Sequence, residues 1–240
     1  PLSRVADVEM YAGPKKISRS NASRRQYVQM NVRGRDMGGV VQDLRKRIEE
    51  QVDMPPGYFV EFGGQFENQE RAMARLAIVV PITLALIFLL LFSAFSSLRY
   101  AALIFMNVPF AVTGGIVALF VTGLYLSVPA AVGFIAVFGV AVLNGVVMVS
   151  YINQLRDEGY EVIEAVKLGA QRRLRPVLMT ASVAILGLIP LLLADGIGSN
   201  VQRPLATVVV GGLITSTLLT LVVLPSVYQW FASERRDVEV

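Results

Sequence analysis

Residues 76–95 read LAIVVPITLALIFLLLFSAF, and four similar stretches follow at about 100–122, 130–152, 176–193 and 204–230. None of the five contains Asp, Glu, Lys, Arg or His. A hydrocarbon core about 30 Å thick is crossed by about 20 apolar residues in a helix, which satisfies every backbone polar group internally. Five such runs make the chain a multi-pass membrane protein, mainly α-helical. They also leave the spans without a titratable group, so any proton or ion chemistry at depth needs partners outside them.

Outward from the spans the composition changes. The chain is 54% hydrophobic over 240 residues, with a mean hydropathy of +0.57. Residues 1–75 nevertheless hold 13 of its 22 Lys/Arg and 10 of its 18 Asp/Glu, the balance of a water-facing domain. Within it, RQYVQMNV at 25–32 alternates as a strand does. Val41, Leu44, Ile48 and Val52 recur at helical spacing over 40–52, and Pro55-Pro56-Gly57 ends that helix. YFVEF at 58–62 reads as a second strand, so a partial α/β unit of the βαβ type is expected before the membrane part. With no initiator Met and no leading span, the chain reads as the C-terminal portion of a longer protein.

Loop charges set an expected orientation. Arg99, then Arg156, Lys167, Arg172, Arg173 and Arg175, then Arg235 and Arg236 fall on one side, while the short loops opposite carry Arg203 against Asp195. The positive-inside rule puts the first side in the cytoplasm, with residues 1–75 outside and a cytoplasmic tail at 232–240. Tyr228 and Trp230 fall where interfacial belt residues belong. Residues 160–171 are amphipathic, with Val162, Ile163, Val166 and Ala170 on one face, and are expected to lie as a separate helix on the cytoplasmic interface.

Several classes of chemistry are excluded. Cysteine and histidine are absent, which removes disulfides, thiolate metal sites and Ser/His/Asp catalysis. Gly63-Gly64 lacks the Lys-Ser/Thr of a phosphate-binding loop, and no basic stripe interleaved with aromatics suggests nucleic acid. A hydrolase is therefore poorly supported. Small residues at spacing four, Thr207/Gly211/Thr215 and Gly212/Ser216/Thr220 in the fifth span and Ala141/Gly145 in the third, predict close helix packing. Asn144 is a strong polar group in mid-span, serving either as an interhelical hydrogen bond or as a link to ionisable residues on another helix. Thr180 has the same two readings, with back-bonding to its own helix as the simpler one. Pro81, Pro109 and Pro190 are each a static kink or a hinge.

The order of motifs carries a resemblance. GGQFENQ at 63–69 leads into the first span and GVVMVSYIN at 145–153 ends the third. RLRPVLMT at 173–180 and LGLIPL at 186–191 mark the fourth, and GGLIT at 211–215 the fifth. Together they resemble the C-terminal part of resistance-nodulation-division (RND) efflux transporters, most closely the heavy-metal (CzcA-like) cation exporters. The resemblance implies a proton-driven antiporter of the bacterial inner membrane that exports divalent metal ions. It would work as a homotrimer with a periplasmic adaptor and an outer-membrane channel. Residues 1–75 would end the second periplasmic loop and the spans would be the eighth to twelfth helices. Beyond the transported metal ion and protons, no cofactor is implied, and the metal ligands would lie before Pro1. By resemblance, the proton-pathway candidates are Asn144, Thr180 and Arg173. Gly63, Gly64 and Pro81 are the candidates for passing motion between membrane and periplasm. Leu143 stands where drug exporters of the family have Lys, which weighs against the alternative of a multidrug pump. A non-transporting membrane scaffold or export accessory is the alternative from another class.

Overall fold

The computed structural model describes residues 4–7, 13, 16–32, 34–196 and 198–231. The tail expected at 232–240 lies outside the described residues. The chain divides into two compact units, Pro1–Pro55 and Pro56–Val240.

The first unit holds a hairpin and a helix. Strands β1 (Ser18–Ser20) and β2 (Ser23–Arg25) pair antiparallel, Ser18 opposite Arg25 and Ser20 opposite Ser23. Asn21 and Ala22 turn the chain with φ of 47° and 64°, the doubly left-handed geometry that matches strand twist in a two-residue hairpin. Helix α1 (Met37–Gln51) starts three residues before the expected 40–52, because the Asp36 side chain caps it by accepting from Gly39 N–H. The strands expected at 25–32 and 58–62 are not there: only Arg25 is in a strand, and 58–62 has no regular structure, with Tyr58 72% and Phe59 79% exposed. An alternating segment becomes a strand only when a neighbour accepts its ladder of hydrogen bonds, and the described residues supply no such neighbour to 26–32 or 58–62.

The second unit is a bundle. Its helices are α2 (Gln65–Phe95), α3 (Leu98–Phe105), α4 (Asn107–Thr122), α5 (Val128–Asp157), α6 (Val162–Leu192), α7 (Ser199–Leu218) and α8 (Leu224–Phe231), with a π-helical turn at Leu219–Val223 joining the last two. By length and hydropathy these form five membrane-crossing segments: α2, α3 with α4, α5, α6, and α7 through α8. The first begins eleven residues earlier than the apolar run, at Gln65, where Gly64 holds the N-cap at φ 84°, a conformation costly for any other residue. The helix passes through Pro81 without interruption.

The expected interfacial helix at 160–171 is not separate. It forms the first turns of α6, which runs on through Pro176. Its apolar face turns inward: Ala165, Val166 and Gly169 are buried, and a Cβ on Gly169 would lie 2.7 Å from Ile152 Cγ1. Pro176 withholds one backbone donor, a cost of about 3 kcal/mol in a helix interior, and the packing onto α5 offsets it, since the helix is continuous there.

Burial ranks the spans. The apolar window of the fifth is 50% buried and that of the third 44%, against 6% for the first and 11% for the fourth. The fifth span is therefore the axis, packed on α4 and α5. The predicted small-residue lines make this contact: a Cβ on Gly211 would sit 2.4 Å from Ala118 Cβ and 2.6 Å from the Gly114 carbonyl oxygen. Backbones this close gain dispersion and bury carbonyl edges, which is how helices associate where lipid removes the hydrophobic incentive.

Candidate functional site: a buried polar layer and a basic aromatic end

Spans two, three and five bring a set of polar side chains together inside the bundle. Asn107, Ser216 and Thr220 are fully buried, and Asn144 and Thr217 nearly so. Asn107 Nδ2 donates to Ile104 O at 3.0 Å, and its Oδ1 accepts from Thr220 Oγ1 at 3.2 Å. Gly145 makes the space: a Cβ there would lie 2.6 Å from Asn107 Nδ2. Nearer the other end, Thr215 Oγ1 reaches Phe110 O across the α4–α7 contact at 3.0 Å. A buried amide left unpaired costs about 1–3 kcal/mol, so these bonds fix the register of spans two and five.

Two groups break the pattern. Asn144 Nδ2 and Thr217 Oγ1 are buried without a hydrogen-bond partner among the described residues. Asn144 is 8% exposed, whereas its neighbour Leu143 is 59% exposed on the bundle surface. Among the described residues, then, the Asn144 amide donates no interhelical bond.

Of the proton-pathway candidates, Thr180 and Arg173 both lie on α6 and do not meet. Thr180 is exposed on α6, its hydroxyl 2.9 Å from Val177 O and 3.2 Å from Pro176 O, so it bonds back to its own helix. Arg173 lies about 10 Å along α6 from Thr180 at 1.5 Å per residue, its guanidinium 4.6 Å above the Tyr151 ring. Gly63 and Gly64 are exposed just before α2, with open space around the Gly64 Cβ position, and Pro81 is exposed near the middle of that helix.

At the basic end a second cluster forms that sequence reasoning missed. Tyr228 is not an interfacial belt residue: it is fully buried, while Trp230 is 86% exposed. The Tyr228 ring stacks on Tyr100 at 5.6 Å and 14°, and its hydroxyl donates to Asn153 Oδ1. Arg156 donates to the Tyr100 hydroxyl at 3.2 Å, and Arg172 to the Tyr151 hydroxyl at 2.8 Å. Residues spread from position 100 to 228 thus tie all spans but the first at one end. The only sequence signal was aromatics and arginines recurring at the same end of successive spans. Replacing Tyr228 by Phe should keep the stack and lose about 1 kcal/mol. Replacing it by Ala should lose about 3–5 kcal/mol through the cavity left behind. Thermal unfolding of the purified full-length parent checks both.

Among the described residues no three His, Cys, Asp or Glu side chains gather as metal ligands would.

Comparison with known proteins agrees with this architecture. The profile of the AcrB/AcrD/AcrF family matches residues 1–232. The chain is 52% identical over 239 residues to the cobalt-zinc-cadmium resistance protein CzcA of Cupriavidus metallidurans, covering 100% of this chain and 22% of that protein. It is 49% identical over 226 residues to the nickel and cobalt resistance protein CnrA of the same organism, covering 94% and 21%. A crystal structure of a heavy metal efflux pump superposes with a TM-score of 0.72 at 55% identity, covering 84% of this chain and 20% of that one. The chain spans about a fifth of the length of these relatives. The motif order read from the sequence and the five-span bundle meet in one assignment: this chain belongs to the AcrB/AcrD/AcrF family of RND efflux transporters.

Proposed function

We propose that this chain is the C-terminal portion of an inner-membrane, proton-driven RND pump that exports divalent heavy-metal cations. The observation that carries the reading is its 52% identity, end to end, with a protein named for cobalt, zinc and cadmium resistance. The structure supports a division of labour. The five spans hold no Asp, Glu, Lys, Arg or His in their apolar runs, so acids in the remainder of the protein bind and release the protons. Asn144 supplies the unpartnered buried donor that meets them. Thr180 and Arg173 lie on the little-buried helix α6, where the remaining spans would pack, and Arg173 at the basic end is suited to proton release. The basic end faces the cytoplasm by the positive-inside rule, and residues 1–75 face the periplasm. There the homotrimer would meet its adaptor and the outer-membrane channel.

In this scheme the bundle moves as a body when the acids change charge, and α2 carries the displacement outward. Pro81 and the Gly63-Gly64 segment absorb it. Pro81→Ala restores the missing helical hydrogen bond, and should therefore lower metal efflux several-fold, by about 1 kcal/mol in coupling, with normal amounts in the membrane. Full efflux by that variant would remove Pro81 from the mechanism.

The test of cargo is growth of a pump-deficient bacterium expressing the full-length parent with its adaptor, challenged with metals and with drugs. Protection against divalent metals alone supports this reading. Protection against drugs would replace it with a multidrug pump, and Leu143 would then be a poor discriminator. No protection of either kind favours the non-transporting scaffold.

A further inference from the structure

Two backbone defects in different spans meet inside the bundle. Span two is interrupted at Met106, between α3 and α4, where Pro109 offers no N–H to the Phe105 carbonyl one turn back. Span five widens into the π-helical turn at Leu219–Val223, and Pro225 likewise offers no N–H to Leu221. Such turns are local weak points and concentrate at functional places.

An interhelical hydrogen bond between side chains joins the two defects. Thr220, inside the π turn, donates to Asn107 Oδ1 at 3.2 Å, and Asn107 Nδ2 holds Ile104 O on the far side of the break. Thr220 Oγ1 also lies 2.8 Å from Ser216 O. A hydroxyl has one proton to give, so it either bridges to Asn107 or folds back onto its own helix. The bond therefore has two settings.

Apolar packing divides at the same level. One cluster, at the basic end, takes Ala101, Leu103 and Ile104 from α3 and Leu224 and Tyr228 from α8. The clusters beyond the defects are separate and are built on Ala111 with Val137 and on Leu119 with Val208. The Tyr100–Tyr228 stack binds α3 to α8, and the Gly114–Gly211 contact binds α4 to α7. Each pair is tight, and between the pairs the helical hydrogen-bond pattern departs from regular α twice, at Met106 and at Leu219–Val223.

We infer that Asn107 and Thr220 form a latch across a paired hinge, about which α3 and α8 tilt as one piece relative to α4 and α7. The inference goes beyond metal export and stands on the fold alone, so its test needs no transport assay.

Amide hydrogen exchange of the full-length parent in lipid nanodiscs reads it directly. Thr220→Val removes the donor at constant shape. It should speed exchange about fivefold, the size of one neutral hydrogen bond, in both 104–110 and 219–225. Thr220→Ser should stay near the parent. Pro109→Ala restores a backbone donor and should slow both segments, a converse test that holds even if Thr220→Val accumulates poorly. Change confined to the substituted span would overturn the latch, and so would a uniform rise across the bundle, the mark of lost packing.

Discussion

Gly211→Ala should destabilise the full-length parent by about 2–3 kcal/mol, the upper part of the range for overpacking a tight contact. The added methyl would lie 2.4 Å from Ala118 Cβ and 2.6 Å from the Gly114 carbonyl oxygen, and neither partner is the yielding end of a flexible side chain. Helix propensity alone points the other way, because Ala is favoured over Gly by about 1 kcal/mol in a helix interior. Packing wins because the α4 and α7 backbones are already in contact at Gly114 and Gly211. Adding Ala118→Gly removes one of the two obstructions and should recover part of the loss. Thermal unfolding of the two variants checks both steps. Gly187, with nothing within 4 Å of its Cβ position, should by contrast tolerate Ala with no loss.

The other large effect concerns function. Asn144→Leu should leave the protein folded, because it replaces a buried amide whose nitrogen has no partner among the described residues by an apolar group of similar size. Metal efflux should nevertheless fall about a hundredfold, the low end of what a correctly placed proton-transfer partner contributes. Asn144→Ser, which keeps a hydrogen-bonding group, should fall between. Unchanged efflux with unchanged protein amounts would reduce Asn144 to a packing residue.

Much of the fold was readable because the membrane enforces a simple code. A charge-free run of apolar residues has one stable solution in hydrocarbon, and all five spans are where such runs lie. Their ends were less legible. The first helix starts at Gln65 and the fourth at Val162, because polar sequence continues a helix beyond the hydrocarbon whenever a neighbour or a cap supports it. Residues 25–32 and 58–62 failed as strands because alternation states a preference for pairing and does not supply the partner. Tyr228 was misplaced because an aromatic near a span end suits the interface and a stack equally well; the deciding neighbour, Tyr100, is far away in sequence. Of the candidate site, Asn144 was legible as an expensive mid-span polar group. The Asn107–Thr220 bond was not, since it depends on how a break at Met106 and a π turn at Leu219–Val223 line up across two helices.

The proposal at the centre of this account is that the full-length parent exchanges protons for divalent metal. It is tested most directly by reconstituting the full-length parent in liposomes, imposing a proton gradient, and following zinc or cobalt movement with an enclosed metal-sensitive dye. The account predicts metal flux that requires the gradient, collapses with a protonophore, and is matched by proton movement in the opposite direction. Flux indifferent to the gradient, or none for any divalent metal, would contradict it.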